Sequence, residues 1–167
     1  DGLEGGTQGG LGSTLDYLGP PTLFTLVRAR RFLTEKKLTG KISLLVGGGL
    51  YSAMDFLKAL ALGADAVFIG TIALLALVHT QAVKVLPWEP PTALIFDGGP
   101  QKKKLNIDQG AQSLANFLKA SVQEMQVAAL CLGKEHLSAV DKSDLSTLNR
   151  ELATYLGIKW CGDSPLI

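Results

Sequence analysis

The chain has 167 residues, of which 47% are hydrophobic and 19% are charged, and its formal net charge is +1. This composition is typical of one globular domain. A charge so close to zero gives no electrostatic reason to expect binding to nucleic acid or to a membrane surface. The two cysteines, Cys131 and Cys161, show neither metal-binding nor disulfide spacing, so we expect a reduced, cytoplasmic protein.

Residues 1–12 are predicted to form a loop, because so many glycines exclude a helix or a central strand. The polar residues among these glycines, Asp1, Glu4, Thr7 and Gln8, are typical of the rim of an active site. A plain linker is an equally good interpretation of the composition. The chain begins inside this loop with no element before it, so we expect it to be a piece of a longer protein.

Helices and strands alternate over the next sixty residues. One helix is predicted from about Pro21 to Lys37, with Gly40 as its cap, and a second opens with a capping-box pattern at Ser52–Asp55. Two short apolar runs, residues 41–46 and 66–69, are predicted as strands. Such alternation indicates parallel strands covered on both faces. Two strands alone make no stable sheet, so the others must come from upstream, from another chain, or be absent.

Both predicted strands end in glycine next to the start of a helix. Gly47, Gly48 and Gly49 follow the first strand, and Gly70 and Thr71 follow the second. Glycine allows the backbone to approach an anion, and N–H groups at a helix N-terminus point toward it. These glycines could instead form only tight turns. Two adjacent turns of this kind nevertheless favour a phosphate site, which (β/α)8 barrels frequently build after strands 7 and 8.

The remaining residues are predicted to be mostly helical. A long helix is expected over residues 108–132, with Asp108 as its N-cap and Gly133 as its stop. Another helix is expected to start at Ser143 or Asp144 and to end at Gly157. No Ser/His/Asp set and no metal-ligand spacing can be assembled, so no catalytic residue is assigned and no metal is expected.

Three segments together resemble the signatures of one family. Residues 1–7, Asp-Gly-Leu-Glu-Gly-Gly-Thr, resemble the DG-x-(D/E)-GGTG loop in the FMN-binding barrel of glutamate synthases. Residues 47–50 with 59–66 are similar to the second signature of that family, and residues 69–77 are similar to the third. Residues 86–91 and the helical tail are similar to the branch described as the FMN-binding glutamate synthase family.

The resemblance implies an α/β fold: the C-terminal part of a (β/α)8 TIM barrel over residues 1–97, with an added helical tail over residues 98–167. It implies an FMN-dependent oxidoreductase acting on CH–NH2 groups, which makes L-glutamate from 2-oxoglutarate and ammonia or glutamine-derived nitrogen. The implied partners are 2-oxoglutarate and glutamate, the upstream part of the barrel and an electron-donor protein. The isolated chain is expected to be inactive.

The resemblance also implies roles for ten residues of this chain. It places the FMN phosphate at Gly47, Gly48, Gly49, Gly70 and Thr71, and a loop over flavin and substrate at Gly2, Glu4, Gly5, Gly6 and Thr7. The chain departs from the family where Gly47 replaces a frequent Asp. It also lacks the cysteines that ligate an iron–sulfur cluster after the third signature. Two alternatives stay open: a different phosphate-binding barrel enzyme, and a non-catalytic fragment or assembly partner.

Overall fold

The computed structural model describes residues 2–5, 19–81, 95, 98–99 and 102–163. The chain divides into two compact units. The first unit contains residues 1–68 together with residues 124–167, and the second contains residues 69–123. The predicted division between residues 97 and 98 falls inside the second unit and stays a prediction. Among the described residues, no helix is both long enough and apolar enough to cross a bilayer.

The first half of the first unit alternates helices with strands. Helix α1 (Thr22–Glu35) precedes strand β1 (Leu45–Val46), and helix α2 (Ala53–Ala61) precedes strand β2 (Ala66–Val67). The two strands pair in parallel, with Leu45 opposite Ala66 and Val46 opposite Val67. The predicted α/β alternation and the parallel direction are confirmed, although both strands are shorter than predicted. A barrel is not established by this two-stranded sheet.

The ends of α1 and α2 show which of the predicted capping residues cap these helices. Ser52 and Asp55 form the predicted capping box at the start of α2, and Gly63 follows the end of that helix with a φ of +106°. The end of α1 differs from the prediction. It stops at Glu35, and the left-handed residue after it is Lys37, with a φ of 56°, whereas Gly40 belongs to the next turn. Lys37 tolerates this conformation because Leu38 N–H then bonds back to the Leu33 carbonyl.

The core of the first unit lies beside α1, α2 and one face of the sheet. The buried apolar side chains include Leu26, Val27, Leu33, Val46, Phe56, Leu57 and Leu62, together with Met125, Ala129, Val140, Ala153 and Leu156. The sheet is covered unevenly, since Val46 is 4% exposed whereas Leu45 is 56% exposed and Phe68, just after β2, is 49% exposed. Apolar residues of a parallel sheet normally lie inside, so one face of this sheet has no cover in the described part of the chain.

A polar network joins α1 to the turn before β2 and to the start of β1. The Arg30 guanidinium donates to the Gly63 carbonyl (2.6 Å) and to the Asp65 carboxylate (2.8 Å). The same carboxylate oxygen accepts from Leu44 N–H (2.6 Å). The hydrogen bond from Leu44 N–H is the largest cause of the lowered pKa of Asp65. Burial raises this pKa in part, and Arg30 lowers it further. These bonds fix β1 and β2 relative to the helix beside them.

Residues 124–163 complete the first unit. A small parallel sheet pairs β3 (Ser146–Thr147) with β4 (Lys159–Trp160) across helix α5 (Arg150–Leu156). A two-stranded sheet therefore lies within the predicted helical tail, which is otherwise mostly helical over its described residues. The predicted start of its last helix at Ser143 or Asp144 was wrong, because the Asn149 side chain caps the helix by accepting from Leu152 N–H (2.9 Å). The predicted end at Gly157, which has a φ of +71°, is confirmed.

Helix α5 packs against α1 inside the first unit. The rings of Phe24 and Tyr155 lie 4.3 Å apart between centroids, and the Arg31 guanidinium lies over the Tyr155 ring at 5.5 Å. Arg31 also donates to the Tyr155 carbonyl. Aromatic and cation–π contacts of this kind each add about 1 kcal/mol to the burial of their surface. Helix α5, near the end of the described chain, therefore stabilises helix α1.

The second unit holds helix α3 (Thr71–Val78) and the start of helix α4 (Ile107–Cys131). Gln81 exchanges two hydrogen bonds with the backbone of Asn106, at 3.0 and 2.7 Å. The Asn106 side chain also accepts from Gln109 N–H (3.0 Å). Asn106, and not the predicted Asp108, therefore caps α4. In the first unit, the predicted stop of this helix at Gly133, with a φ of +72°, is confirmed.

Candidate functional site

Three consecutive glycines, Gly47–Gly49, turn the chain between β1 and α2, and we call them the glycine corner. Gly48 and Gly49 have φ angles of +98° and +69°, which side chains rarely adopt, so both positions require glycine. Within the described part of the chain, the N–H groups of Gly48 and Gly49 donate no hydrogen bond. Backbone donors are normally paired, so this corner presents two N–H groups that a ligand could use.

The segment Gly2–Gly5 is attached to the start of α1. Thr22 donates from its N–H and its hydroxyl to the Glu4 carboxylate, at 2.7 and 2.8 Å, and its hydroxyl accepts from Gly2 N–H at 3.1 Å. Leu3 N–H donates to the Pro20 carbonyl (2.9 Å). Pro21 precedes the helix and offers no side-chain oxygen, so Glu4 supplies the N-cap from eighteen positions away in sequence. The one sign of this in the sequence is the missing local cap at Pro21.

The structure brings the segment Gly2–Gly5 and the glycine corner into contact. A Cβ on Gly49 would lie 2.4 Å from the Glu4 Cβ, and one on Gly48 would lie 3.1 Å from the Gly5 backbone. Residues from both predicted groups, the cofactor residues and the substrate loop, therefore meet at one place. Their roles stay predictions, and Gly6 and Thr7 lie outside the described residues.

Gly70 and Thr71 belong to the second unit. Gly70 is the N-cap residue of α3, and no side chain caps that helix among the described residues. A Cβ on Gly70 would meet nothing within 4 Å, so neither packing nor a positive φ requires glycine there. Because no described side chain caps the first turn of α3, Gly70 and Thr71 stay predicted phosphate contacts.

A cavity of about 160 Å³ lies beside the glycine corner. Its lining residues are Glu4, Thr22, Leu23, Gly48, Gly49, Leu50, Asp55 and Lys58. This volume is below the roughly 300 Å³ at which sites for whole small molecules begin, so the cavity could hold only a fragment of a cofactor. Two carboxylates and one ammonium group line it, which does not favour a dianion inside it. Phosphate binding here would therefore depend on the backbone N–H groups of the corner itself.

The carboxylates of this cavity already have partners. Asp55 accepts from Ser52 N–H (3.1 Å) and from the Ser52 hydroxyl (2.8 Å). Burial raises the pKa of Glu4, but the hydrogen bonds from Thr22 N–H, the Thr22 hydroxyl and the N–H of Glu4 itself outweigh it and lower the pKa overall. Both carboxylates therefore cap helices rather than offer a free general base. Among the described residues, no group of three His, Cys, Asp or Glu side chains is arranged to hold a metal.

Replacing Glu4 with glutamine tests its role as a distant cap. The unfolding free energy should fall by about 1 kcal/mol at neutral pH, because an uncharged amide is a weaker acceptor at a helix N-terminus. The pKa of Glu4 is lowered by folding, so its contribution is present above the ordinary value of 4.5 and is lost as the pH falls through the folded pKa. Urea unfolding of both proteins over this range should show their difference shrink in acid.

The matched control is Glu35→Gln at the C-terminal end of the same helix, where the helix dipole does not favour a carboxylate. This substitution should not reduce stability. Equal losses for both variants, or a difference that does not change with pH, would contradict the capping role of Glu4.

Comparison with known proteins places the whole of this site in one family. Residues 1–135 match the family model described as the conserved region in glutamate synthase. A glutamate synthase large subunit-like protein of Rhizobium meliloti (strain 1021) is 33% identical over 180 aligned residues, covering 98% of this chain and 41% of that protein. No solved structure matches the chain.

Two further relatives carry similar names. An archaeal-type glutamate synthase (NADPH) of Thermotoga maritima is 32% identical over 164 residues, covering 95% of this chain and 30% of that protein. An archaeal glutamate synthase (NADPH) of Methanocaldococcus jannaschii is 29% identical over 167 residues, covering 98% of this chain and 33% of that protein. The chain thus spans less than half the length of each of these relatives.

Proposed function

The chain belongs to the glutamate synthase family, and from this premise we propose that the protein is an FMN-dependent oxidoreductase that forms L-glutamate. The proposed substrates are 2-oxoglutarate and ammonia or glutamine-derived nitrogen. The proposed place of action is the cytoplasm. The observation that carries the proposal is the glycine corner, whose two N–H groups have no acceptor in the described part of the chain.

The corner fits the phosphate group of FMN for three reasons. It follows a parallel strand at its carboxyl end, where open α/β sheets and barrels bind ligands. Gly48 and Gly49 have no Cβ to keep an anion away from their N–H groups. Hydrogen bonds to a charged acceptor contribute about 1.5–3 kcal/mol each, so two of them would hold a phosphate against its solvation. We propose that Gly48 and Gly49 donate these bonds. Gly47, Gly70 and Thr71 stay proposed phosphate contacts.

FMN, when bound, supplies hydride transfer, and this chain's residues supply position. Glu4 and Thr22 hold the start of the first loop against the corner, so Gly2 and Gly5 are fixed where the proposed substrate loop begins. Gly6 and Thr7 of that loop stay proposed substrate contacts. No general acid or base is assigned, because the described carboxylates near the corner cap helices.

We also propose that β1 and β2 belong to a (β/α)8 barrel completed by the rest of the protein. The parallel pairing and the exposed Leu45 and Phe68 support this, because inward-facing side chains of a barrel strand pack against those of the other strands. The greater length of the relatives leaves room for those strands. An electron donor is proposed as well, either NADPH, which the names of two relatives contain, or a protein that relays its electrons.

The product of the complete gene should purify with bound flavin. Its visible spectrum should show oxidised flavin, which acid should release as FMN and not FAD. With 2-oxoglutarate, an ammonium salt and a reductant, it should form glutamate and consume one 2-oxoglutarate per glutamate. A colourless protein that does not bind added FMN would overturn the cofactor, and flavin binding without glutamate formation would overturn the reaction.

A further inference from the structure

Gly47 differs from the other two residues of the glycine corner. Its φ is not positive, so its backbone conformation is open to any residue. It is also buried, and a Cβ built on it would lie 2.4, 2.5 and 2.7 Å from three carbons of the Phe68 ring. These are the atoms nearest to it, and contacts this short do not occur between real atoms. A side chain at position 47 would therefore displace the Phe68 ring.

Phe68 is held in place by the sheet. Its N–H donates to the Val46 carbonyl (2.9 Å), which extends the pairing of β2 with β1 by one residue. Its ring then crosses the first residue after β1 and covers the Gly47 backbone, while the side chain remains 49% exposed. The ring thus touches the backbone one residue before Gly48, whose N–H is one of the two corner donors that have no acceptor among the described residues.

We infer that Phe68 is a positioning residue for the phosphate site, acting through Gly47 on the N–H groups of Gly48 and Gly49. This inference rests on the proposed function, since the ligand is the phosphate monoester of FMN. The ring limits movement of the corner, because a glycine without such contact has many accessible conformations.

The test compares FMN with riboflavin, which lacks the phosphate. In the complete protein stripped of flavin, Phe68→Ala should weaken FMN binding about tenfold, as expected when two charge-assisted hydrogen bonds lose their alignment. Riboflavin binding should change less than twofold, and Phe68→Tyr should keep the affinity for FMN. The matched control is Phe32→Ala, since Phe32 is 54% exposed on α1 and should not affect either ligand. Equal weakening of FMN and riboflavin, or no weakening, would overturn the inference.

A double-mutant cycle provides a second readout. Gly47→Ala alone should lower both the melting temperature and FMN affinity, because the new methyl group meets the ring. In the Phe68→Ala background the same substitution should cost little, so the effects should be strongly non-additive. If the unmodified protein binds FMN but the effects of the two substitutions are additive, only the positioning role is overturned. If the unmodified protein, with Gly47 and Phe68 in place, binds no FMN, the proposed function is overturned instead.

Discussion

Replacing Gly49 with alanine is expected to lower the unfolding free energy by about 2–3 kcal/mol and, on the proposed function, to abolish FMN binding. Two costs add. The φ of +69° costs a residue with a Cβ about 1–2 kcal/mol. The new methyl group would also lie 2.4 Å from the Glu4 Cβ, so Glu4 must move and its cap on α1 is weakened, which costs about 1 kcal/mol more. The moved corner no longer aims its N–H groups at a phosphate.

Gly133→Ala separates the two costs. Gly133 has a similar φ of +72°, but a Cβ there would meet nothing within 4 Å. We therefore expect this variant to lose only the conformational part, about 1 kcal/mol, and to bind FMN normally. Denaturant unfolding and flavin titration of both variants provide the comparison. Similar losses of stability would show that the contact between Glu4 and the corner contributes nothing.

Asp65→Ala should destabilise the protein by about 2 kcal/mol. It removes the acceptor of Leu44 N–H and the partner of Arg30, whose side chain is only 14% exposed. An N–H group or a guanidinium left without its acceptor costs about 1–3 kcal/mol, and the 46% exposure of the Asp65 side chain keeps the value below that of a buried pair. The pKa of Asp65 is lowered by folding, so its contribution should vanish in acid, below the ordinary value of 3.8.

The control for Asp65 is Arg28→Ala, which removes an exposed charge from the same helix that carries Arg30. Substitutions of that kind usually change stability by less than about 0.5 kcal/mol. Arg30→Lys should fall between the two, because lysine keeps the charge but cannot bond both the Gly63 carbonyl and Asp65 with a planar group. Thermal unfolding at neutral and acidic pH would show whether this order holds.

Features encoded within a few residues could be predicted from the sequence. The capping box at Ser52–Asp55 and the helix stops at Gly63, Gly133 and Gly157 are local, because each needs only a side chain or a φ angle that its own residue supplies. The glycine corner was found for the same reason, although its phosphate role stays a proposal.

Features that depend on distant residues could not be predicted in this way. The cap of α1 comes from Glu4, eighteen positions before Thr22, and no window of local sequence contains both. The cap by Asn106 is itself local, since its side chain accepts from Gln109 N–H, but the Gln81 bonds that hold Asn106 at the start of α4 cross twenty-five positions. Lys37 took the left-handed position expected for Gly40 because the hydrogen bonds at the end of α1 determine where the turn falls. Gly47 stays a predicted cofactor contact, but its packing against Phe68, which lies outside the local sequence window, could not be predicted.

The hydrogen bonds that join Gly2, Leu3 and Glu4 to Pro20 and Thr22 have a consequence for how this protein can diversify. They hold together the two ends of the stretch between residues 5 and 20, whatever that stretch contains. The free energy of closing a loop depends on how its ends are held and only weakly on its length. These bonds lie outside the stretch, so a change in its length or sequence leaves the anchors themselves in place.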